Sequence, residues 1–460
     1  MNTIKLTIVL FFFLAPLNGK DRPNVLFIPI DDLNSWVGHL GGHPQALTPN
    51  IDRLANRGVS FTKAYCNAPL CNPSRVSLFA GLLPSSTGVY GNGERMRDKV
   101  PDVVTLMQYL RTQGGYSIQG GGKTFHGSGP YDPDSWDYYN QPKREVHTGE
   151  RDAYLPKDAW SPWGPLDVEE SDLFDVKNVD WAIAELGKSH DKPFFVACGF
   201  TKPHLPWFAP RKYFDLHPLD GIILPDTLDG DRDDLPYWGK RFAREVHDVS
   251  GARNFATHGE DHDMVTKHKQ WRRAVQSYLA TISYVDAHVG RLLDALDESS
   301  HADNTIVVLW GDHGWHLGEK QHWRKHALWE VTTRTTLVIA GPEGVAQKQL
   351  CERPVSLLDL YPTIIDLCGL PAREDLDGQS LAPLLEDPEM DWERPVIMTF
   401  GYENHAVRTD RWRYIRYNDG GEELYDHDAD PNEWHNLATS PEYQDVMARL
   451  KPLLPKENVK

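Results

Sequence analysis

This chain is short of positive charge. Its 48 Lys and Arg residues face 66 Asp and Glu, leaving a formal net charge of −18 over 460 residues. That balance argues against broad nucleic-acid binding and against attachment to an anionic membrane. It also repels a polyanionic substrate at long range, so such a substrate needs a local cationic pocket. Cysteine is scarce: Cys66, Cys71, Cys198, Cys351 and Cys368 are the full set. None forms a CxxC pair, which argues against a zinc site built on thiolates. With Cys71 set aside for chemistry, Cys351 and Cys368 are a candidate disulfide in an oxidising compartment. No segment after the N-terminus is long and apolar enough to span a bilayer. Internal repeats and low-complexity tracts are missing. The glycines at 120–122 precede Lys123 without the Walker spacing, so a nucleotide-phosphate loop is not expected.

What is present begins with an export signal. Lys5 supplies a positive region, Leu6 to Ala15 an apolar stretch too short to span a bilayer, and Pro16 to Gly19 an exit. Residues 1–19 are therefore expected to be a signal peptide, and the protein periplasmic or secreted, with no transmembrane anchor. The composition, 40% hydrophobic and 25% charged, suits a globular protein with a large core. Asn24–Ile30, Tyr116–Gln119, Pro193–Phe200, Thr305–Trp310 and Thr336–Ala340 read as buried strands. Between them, Val275, Tyr278, Leu279, Ile282, Val285, Val289, Leu292 and Leu296 fall at helical spacing. Pro354 to Leu367 is a second expected helix. This alternation predicts an α/β fold, a mostly parallel sheet with helices on both faces. Residues 128–170 and 224–263 lack periodicity and read as substrate-shaping insertions. Their Trp136, Trp160, Trp163 and Trp238 suit either core packing or sugar stacking. After about Pro395, Val396–Gly401, Ala406–Thr409, Arg413–Tyr417 and Glu423–Tyr425 read as short antiparallel strands. The expected division is a large domain over 20–388 and a small α+β domain over 389–460.

The stretch Cys71-Asn72-Pro73-Ser74-Arg75 carries the most information. Helical character follows it, so Cys71 is expected at the positive end of a helix, a place suited to anions. Arg75, one turn on, can face the same anion. Ligands of open parallel sheets bind beyond the carboxyl ends of the strands, and polar clusters sit there. The first strand runs into Asp31-Asp32. Lys123 and His126 follow the second, and Lys202-Pro203-His204 follows the third. Asp312-His313-Gly314 follows the fourth, with Lys325 nearby. Asp31, Asp32 and Asp312 are hard oxygen donors of the kind Ca²⁺ or Mg²⁺ takes, with His313 as ligand or partner. Taken singly, each carboxylate reads more readily as a cap or turn, and their placement at the ends of two strands reverses that. Arg75, Lys123, His126, His204 and Lys325 would surround a small tetrahedral anion.

Together these residues resemble the type I sulfatases of the alkaline phosphatase superfamily, nearest the iduronate-2-sulfatase-like branch. The ordered set carries the resemblance: Pro23-Asn24-Val25-Leu26 before Asp31-Asp32; Thr48-Pro49-Asn50-Ile51-Asp52-Arg53-Leu54; the Cys71 motif; Gly122-Lys123 with His126; Lys202-Pro203-His204; and Gly311-Asp312-His313-Gly314-Trp315. Leu424-Tyr425-Asp426, Asp430-Pro431 and Asn436-Leu437 extend it. The resemblance implies an alkaline-phosphatase-like fold with a smaller C-terminal antiparallel sheet. It implies that a maturation enzyme oxidises Cys71 to formylglycine, whose hydrate attacks sulfur and later expels sulfate. Asp31, Asp32, Asp312, His313 and the modified Cys71 would bind Ca²⁺, in preference to Mg²⁺. Arg75 would orient the modified side chain and His126 act as base. Lys123 would bridge nucleophile and sulfate, with His204 and Lys325 on the sulfate oxygens. One departure stands out: the Leu-Thr-Gly-Arg that often continues the motif is here Phe79-Ala80-Gly81-Leu82.

The expected activity is hydrolysis of a sulfate ester on a sugar or polysaccharide. Trp315, His316, His322 and Arg324 flank the pocket as candidate readers of the sugar. A phosphomonoester or phosphonate hydrolase on the same fold, and a non-catalytic glycan-binding relative, are the alternatives.

Overall fold

A computed structural model of the chain describes residues 22–127, 129–143, 163–244, 261–342 and 345–460. The expected signal peptide and Trp160 lie outside the described residues. The first strand, β1 (Asn24–Asp31), is buried along its whole length. Val25 and Phe27 face one side core while Leu26, Ile28 and Ile30 face the other. Burial on both faces is why the strand reads as a continuous apolar run, without alternation.

Around β1 lie β2 (Gly58–Phe61), β3 (Ser117–Gly122), β4 (Tyr138–Asn140), β5 (Phe194–Pro203), β6 (Thr305–Gly311), β7 (Leu337–Ala340) and β8 (Gln349–Cys351). They form one sheet in the order β8-β2-β7-β6-β1-β5-β3-β4. All pairings are parallel except those of β7 with β6 and β2. Strand β1 therefore sits between β5 and β6, and the ends of all three point the same way. The glycine run belongs to β3. Gly122 has φ +70°, and a Cβ there would lie 2.0 Å from the Gly199 oxygen, so only glycine allows β3 and β5 to approach.

Helices cover both faces. On one side pack α1 (Pro49–Ala55), α4 (Phe174–Leu186) and the 27-residue α5 (Trp271–Asp297). On the other pack α2 (Cys71–Ala80), α3 (Leu106–Gly114) and α6 (Leu360–Leu367). The expected Pro354–Leu367 helix is shorter than its pattern suggests. Val355 and Ser356 pair with Ala64 and Tyr65 as a strand. Ser356 then caps a turn through Leu358 N–H, while Asp359 accepts from Ser356 N–H. Among the described residues no helix is long and apolar enough to cross a membrane.

The C-terminal sheet is an antiparallel meander of β9 (Val396–Thr399), β10 (His405–Arg408), β11 (Trp412–Arg416) and β12 (Glu422–Asp426). One face packs on Tyr65, Leu70, Leu328 and Trp329 of the large sheet's connections. The other is covered by Met447 and Leu450 of α7 (Gln444–Leu450). Trp136 and Trp163 are buried and so serve packing. All five cysteines are buried free thiols, so the candidate Cys351–Cys368 disulfide is not formed.

Candidate active site

Asp31 ends β1 and Asp312 follows β6, and Asp312 N–H donates to the Ile30 oxygen at 3.3 Å. The two neighbouring strand ends thus present carboxylates side by side. Between them Asp32 adopts φ +60°, rare for a residue with a side chain. Its N–H donates to Asp312 Oδ1 at 2.9 Å.

Cys71 enters from α2. The helix starts at Cys71 itself, earlier than the expected run from Arg75, with Leu70 as the extended cap residue. Pro73 is tolerated because first-turn N–H groups have no partner within the helix. The Cys71 Sγ lies 3.3 Å from His313 Nε2 and 3.9 Å from Asp32 Oδ1. Ser74 Oγ donates to the Asp312 carbonyl at 2.6 Å, which ties α2 to the end of β6. Sequence reading assigned Ser74 no role, although its place within the motif was the available signal.

Arg75 is fully buried. Its Nε donates to Asp312 Oδ2 at 2.9 Å and one terminal nitrogen to Asp31 Oδ1 at 3.2 Å. The other terminal nitrogen donates to the Lys123 and Thr124 carbonyls at 2.5 and 2.8 Å. One guanidinium therefore fixes β1, β6 and the β3 exit together. Lys123 Nζ contacts Asp31 Oδ2 and lies 4.0 Å from Cys71 Sγ. Lys325 Nζ sits 2.7 Å from Asp32 Oδ1 and 3.0 Å from Cys71 Sγ. His204 is half-buried, with Nε2 3.9 Å from Asp32 Oδ2. His126 stands at the same edge, and its Nδ1 is buried without a hydrogen-bond partner.

The charges differ in how well they are met. Burial acts to raise Asp31, but Lys123, His204 and Arg75 hold its carboxyl well below the usual range. Burial pushes Asp32 up to about 7 in spite of Lys325, with Asp31 and Asp312 adding to the rise. Burial, and after it the Asp31 charge, pushes the Cys71 thiol up, so as a plain cysteine it is a poor nucleophile at neutral pH. Burial and the Lys123 charge lower His126 to about 4. Burial likewise lowers His313 to about 4 and carries His204 well below its ordinary value. Asp31, Asp32 and Asp312 formally cancel Arg75, Lys123 and Lys325, which leaves room for a divalent cation together with an anionic substrate.

The donor set fits such a cation. Ligand atoms of Asp32, Cys71, Asp312 and His313 lie within 4.8 Å of one another, as do those of Asp31, Asp32, Cys71 and His204. Asp32 Oδ2 is buried and has no hydrogen-bond partner. Clustered carboxylates with one orphaned oxygen match a hard, oxygen-seeking ion.

The flanking quartet expected to read a sugar is placed differently. Trp315, His316 and His322 are buried. Lys325 Nζ stands 5.3 Å over the Trp315 ring, and His322 Nε2 lies 2.9 Å from the Lys325 oxygen. Arg324 is forked onto the Asp261 carboxylate. These residues pack around the loop that carries Lys325.

A family model described as "Sulfatase" matches residues 23–370, and one described as "N-sulphoglucosamine sulphohydrolase, C-terminal" matches residues 318–460. The chain belongs to the sulfatase family. This sulfatase is 38% identical over 464 residues to a sulfatase from Formosa agariphila, covering 95% of this chain and 87% of that one. It is 30% identical to a choline-sulfatase from Rhizobium meliloti, over 91% and 83% of the two chains. Against human iduronate 2-sulfatase the identity is 33%, over 79% and 68%. A phosphonate monoester hydrolase from Silicibacter pomeroyi superposes with a TM-score of 0.78, over 94% of each chain, at 23% identity. That likeness shows the fold alone. The sulfatase is thus a sulfuric ester hydrolase on an alkaline-phosphatase-like fold.

Proposed function

We propose that this sulfatase is exported and hydrolyses the sulfate ester of a sulfated carbohydrate, with formylglycine made from Cys71 as nucleophile and Ca²⁺ as cofactor. The observation that carries the reading is the meeting of Asp31, Asp32, Asp312 and His313 with Cys71 at the start of α2. Those residues would hold the cation. Bound there, a divalent ion and the hydrated aldehyde supply a hydroxyl nucleophile that a buried thiol cannot.

The remaining groups divide the work. Arg75, locked by Asp31 and Asp312, orients residue 71. Lys123, beside Asp31 and Cys71, bridges the nucleophile and the sulfate. Burial and Lys123 keep His126 unprotonated at neutral pH, the form a general base requires. His204 and Lys325 flank Asp32 and are placed to hold sulfate oxygens. One of the two delivers a proton to the departing alcohol. The 33% identity with human iduronate 2-sulfatase supports a sugar sulfate as the substrate.

Mass spectrometry of the tryptic peptide holding Cys71, from a host with the maturation enzyme, tests the nucleophile. Formylglycine is expected, and wholly unmodified thiol would favour a non-catalytic glycan binder. Parallel assays on aryl sulfate and aryl phosphate test the ester. Faster phosphate turnover would overturn the sulfatase preference.

A further inference from the structure

Asp32 is the one carboxylate of the cluster whose backbone is left-handed, and both of its main-chain groups are held. Its N–H is taken by Asp312 Oδ1. Its C=O accepts from the Tyr278 hydroxyl at 2.7 Å. The same hydroxyl accepts from Asn34 N–H at 3.1 Å, so one oxygen spans the turn from residue 32 to residue 34. Tyr278 projects from the first third of α5 and is fully buried. Its ring packs edge-on against Trp36 and Trp207, with centroids 5.5 and 5.6 Å away. A phenylalanine would keep that packing and lose only the hydroxyl.

We propose that Tyr278 is a positioning residue for the cation centre: its hydroxyl holds Asp32 in the left-handed turn that aims an unpaired carboxylate oxygen at the ion. The inference rests on the cation reading given above. A free left-handed aspartate relaxes toward the allowed right-handed or extended regions. Relaxation would swing the carboxylate away from Cys71 and His313. Groups that hold a ligand in this way typically change metal affinity by ~10–100-fold when removed. Asn34 adds to the clamp, since its side chain donates to the Trp315 oxygen at 3.1 Å and accepts from Trp36 N–H at 2.9 Å.

The test is isothermal titration of Ca²⁺ into the chelator-stripped, full-length wild type and Tyr278→Phe. Thermal melts of both, with and without Ca²⁺, run beside it. The expected result is a folded variant whose Ca²⁺ dissociation constant rises ~10–100-fold, with a smaller Ca²⁺-induced rise in melting temperature. An unchanged dissociation constant would overturn the proposal, even if the chelated variant melts earlier, since that marks a merely structural hydroxyl. A variant that fails to fold also contradicts it, because the claimed role is local. If the wild type itself binds neither Ca²⁺ nor Mg²⁺, the cation reading fails first, and that outcome is distinct from an unaltered variant.

Discussion

Two buried clusters in this molecule have the same ingredients and different fates. At the strand ends, Asp31, Asp32 and Asp312 meet Arg75, Lys123, Lys325 and His313. At the junction with the C-terminal sheet, Glu330 and Glu433 meet Arg408, Arg413 and His427. Ligand atoms of Glu330, His427 and Glu433 also lie close enough together to suggest a metal site. There, however, every carboxylate oxygen is engaged. Glu330 pairs with Arg408 and Arg413 and accepts from the Tyr65 hydroxyl. Glu433 pairs with Arg413 and His427 and accepts from Glu330 N–H. Burial acts to raise Glu330 and Glu433, but Arg408 and His427 hold the first well below its usual range and Arg413 lowers the second. At the strand ends Asp32 is instead driven up and keeps an orphaned oxygen. A buried ionic network whose oxygens are all met by guanidinium and imidazole groups is structural, whereas one that keeps an unsatisfied carboxylate oxygen is a candidate place for chemistry.

The largest effect is expected from removing the nucleophile. Cys71→Ala should lower kcat by ~10⁴–10⁶-fold while circular dichroism and melting stay close to wild type. Residual turnover above a few per cent would contradict the role given to residue 71. The junction should respond the other way. Arg413→Met leaves two buried glutamates short of a partner and should cost about 3–5 kcal/mol in urea unfolding, with kcat/KM of the folded fraction unchanged. Lost activity at intact stability would erase the contrast between the clusters. Lys325→Ala should reduce kcat/KM by ~10²–10³-fold, with only a minor loss of stability. A variant that is equally active but less stable would make Lys325 a structural residue.

Sequence reading recovered the elements whose environment is uniform. Strands β1, β5 and β6 are buried on both faces, so their apolar runs needed no context. The polar residues at their ends were legible because topology alone sends parallel strands' carboxyl ends to one edge. Pro354–Leu367 misled because pairing of Val355 with Ala64 overrode its helical pattern. Trp315, His316 and His322 lie within ten residues of Lys325 in sequence, but the loop turns their side chains inward. Tyr278 was legible only as a core position of α5, since periodicity reports a buried ring and says nothing of its hydroxyl. The junction cluster is not legible in the sequence because no shared strand-end position gathers Glu330, Arg408, Arg413, His427 and Glu433 as it gathers the first set.

A smaller effect separates the clusters by pH. The Glu433 carboxyl lies below its ordinary value of 4.5 in the folded protein. Its contribution to stability is therefore present above about pH 4.5 and is lost as pH falls through the folded value. Glu433→Gln should cost most at neutral pH, and the difference from wild type should shrink below pH 4.5. A penalty independent of pH would show that shape, and not charge, matters there.

The central claim is that, of these two clusters, the strand-end one is the cation-binding site. Crystals of the mature protein grown with Mn²⁺ in place of Ca²⁺, measured for anomalous scattering, test it most directly. The account predicts a strong peak among Asp31, Asp32, Asp312, His313 and residue 71, and none among Glu330, His427 and Glu433. A peak at the junction, or an empty strand-end cluster, would contradict it.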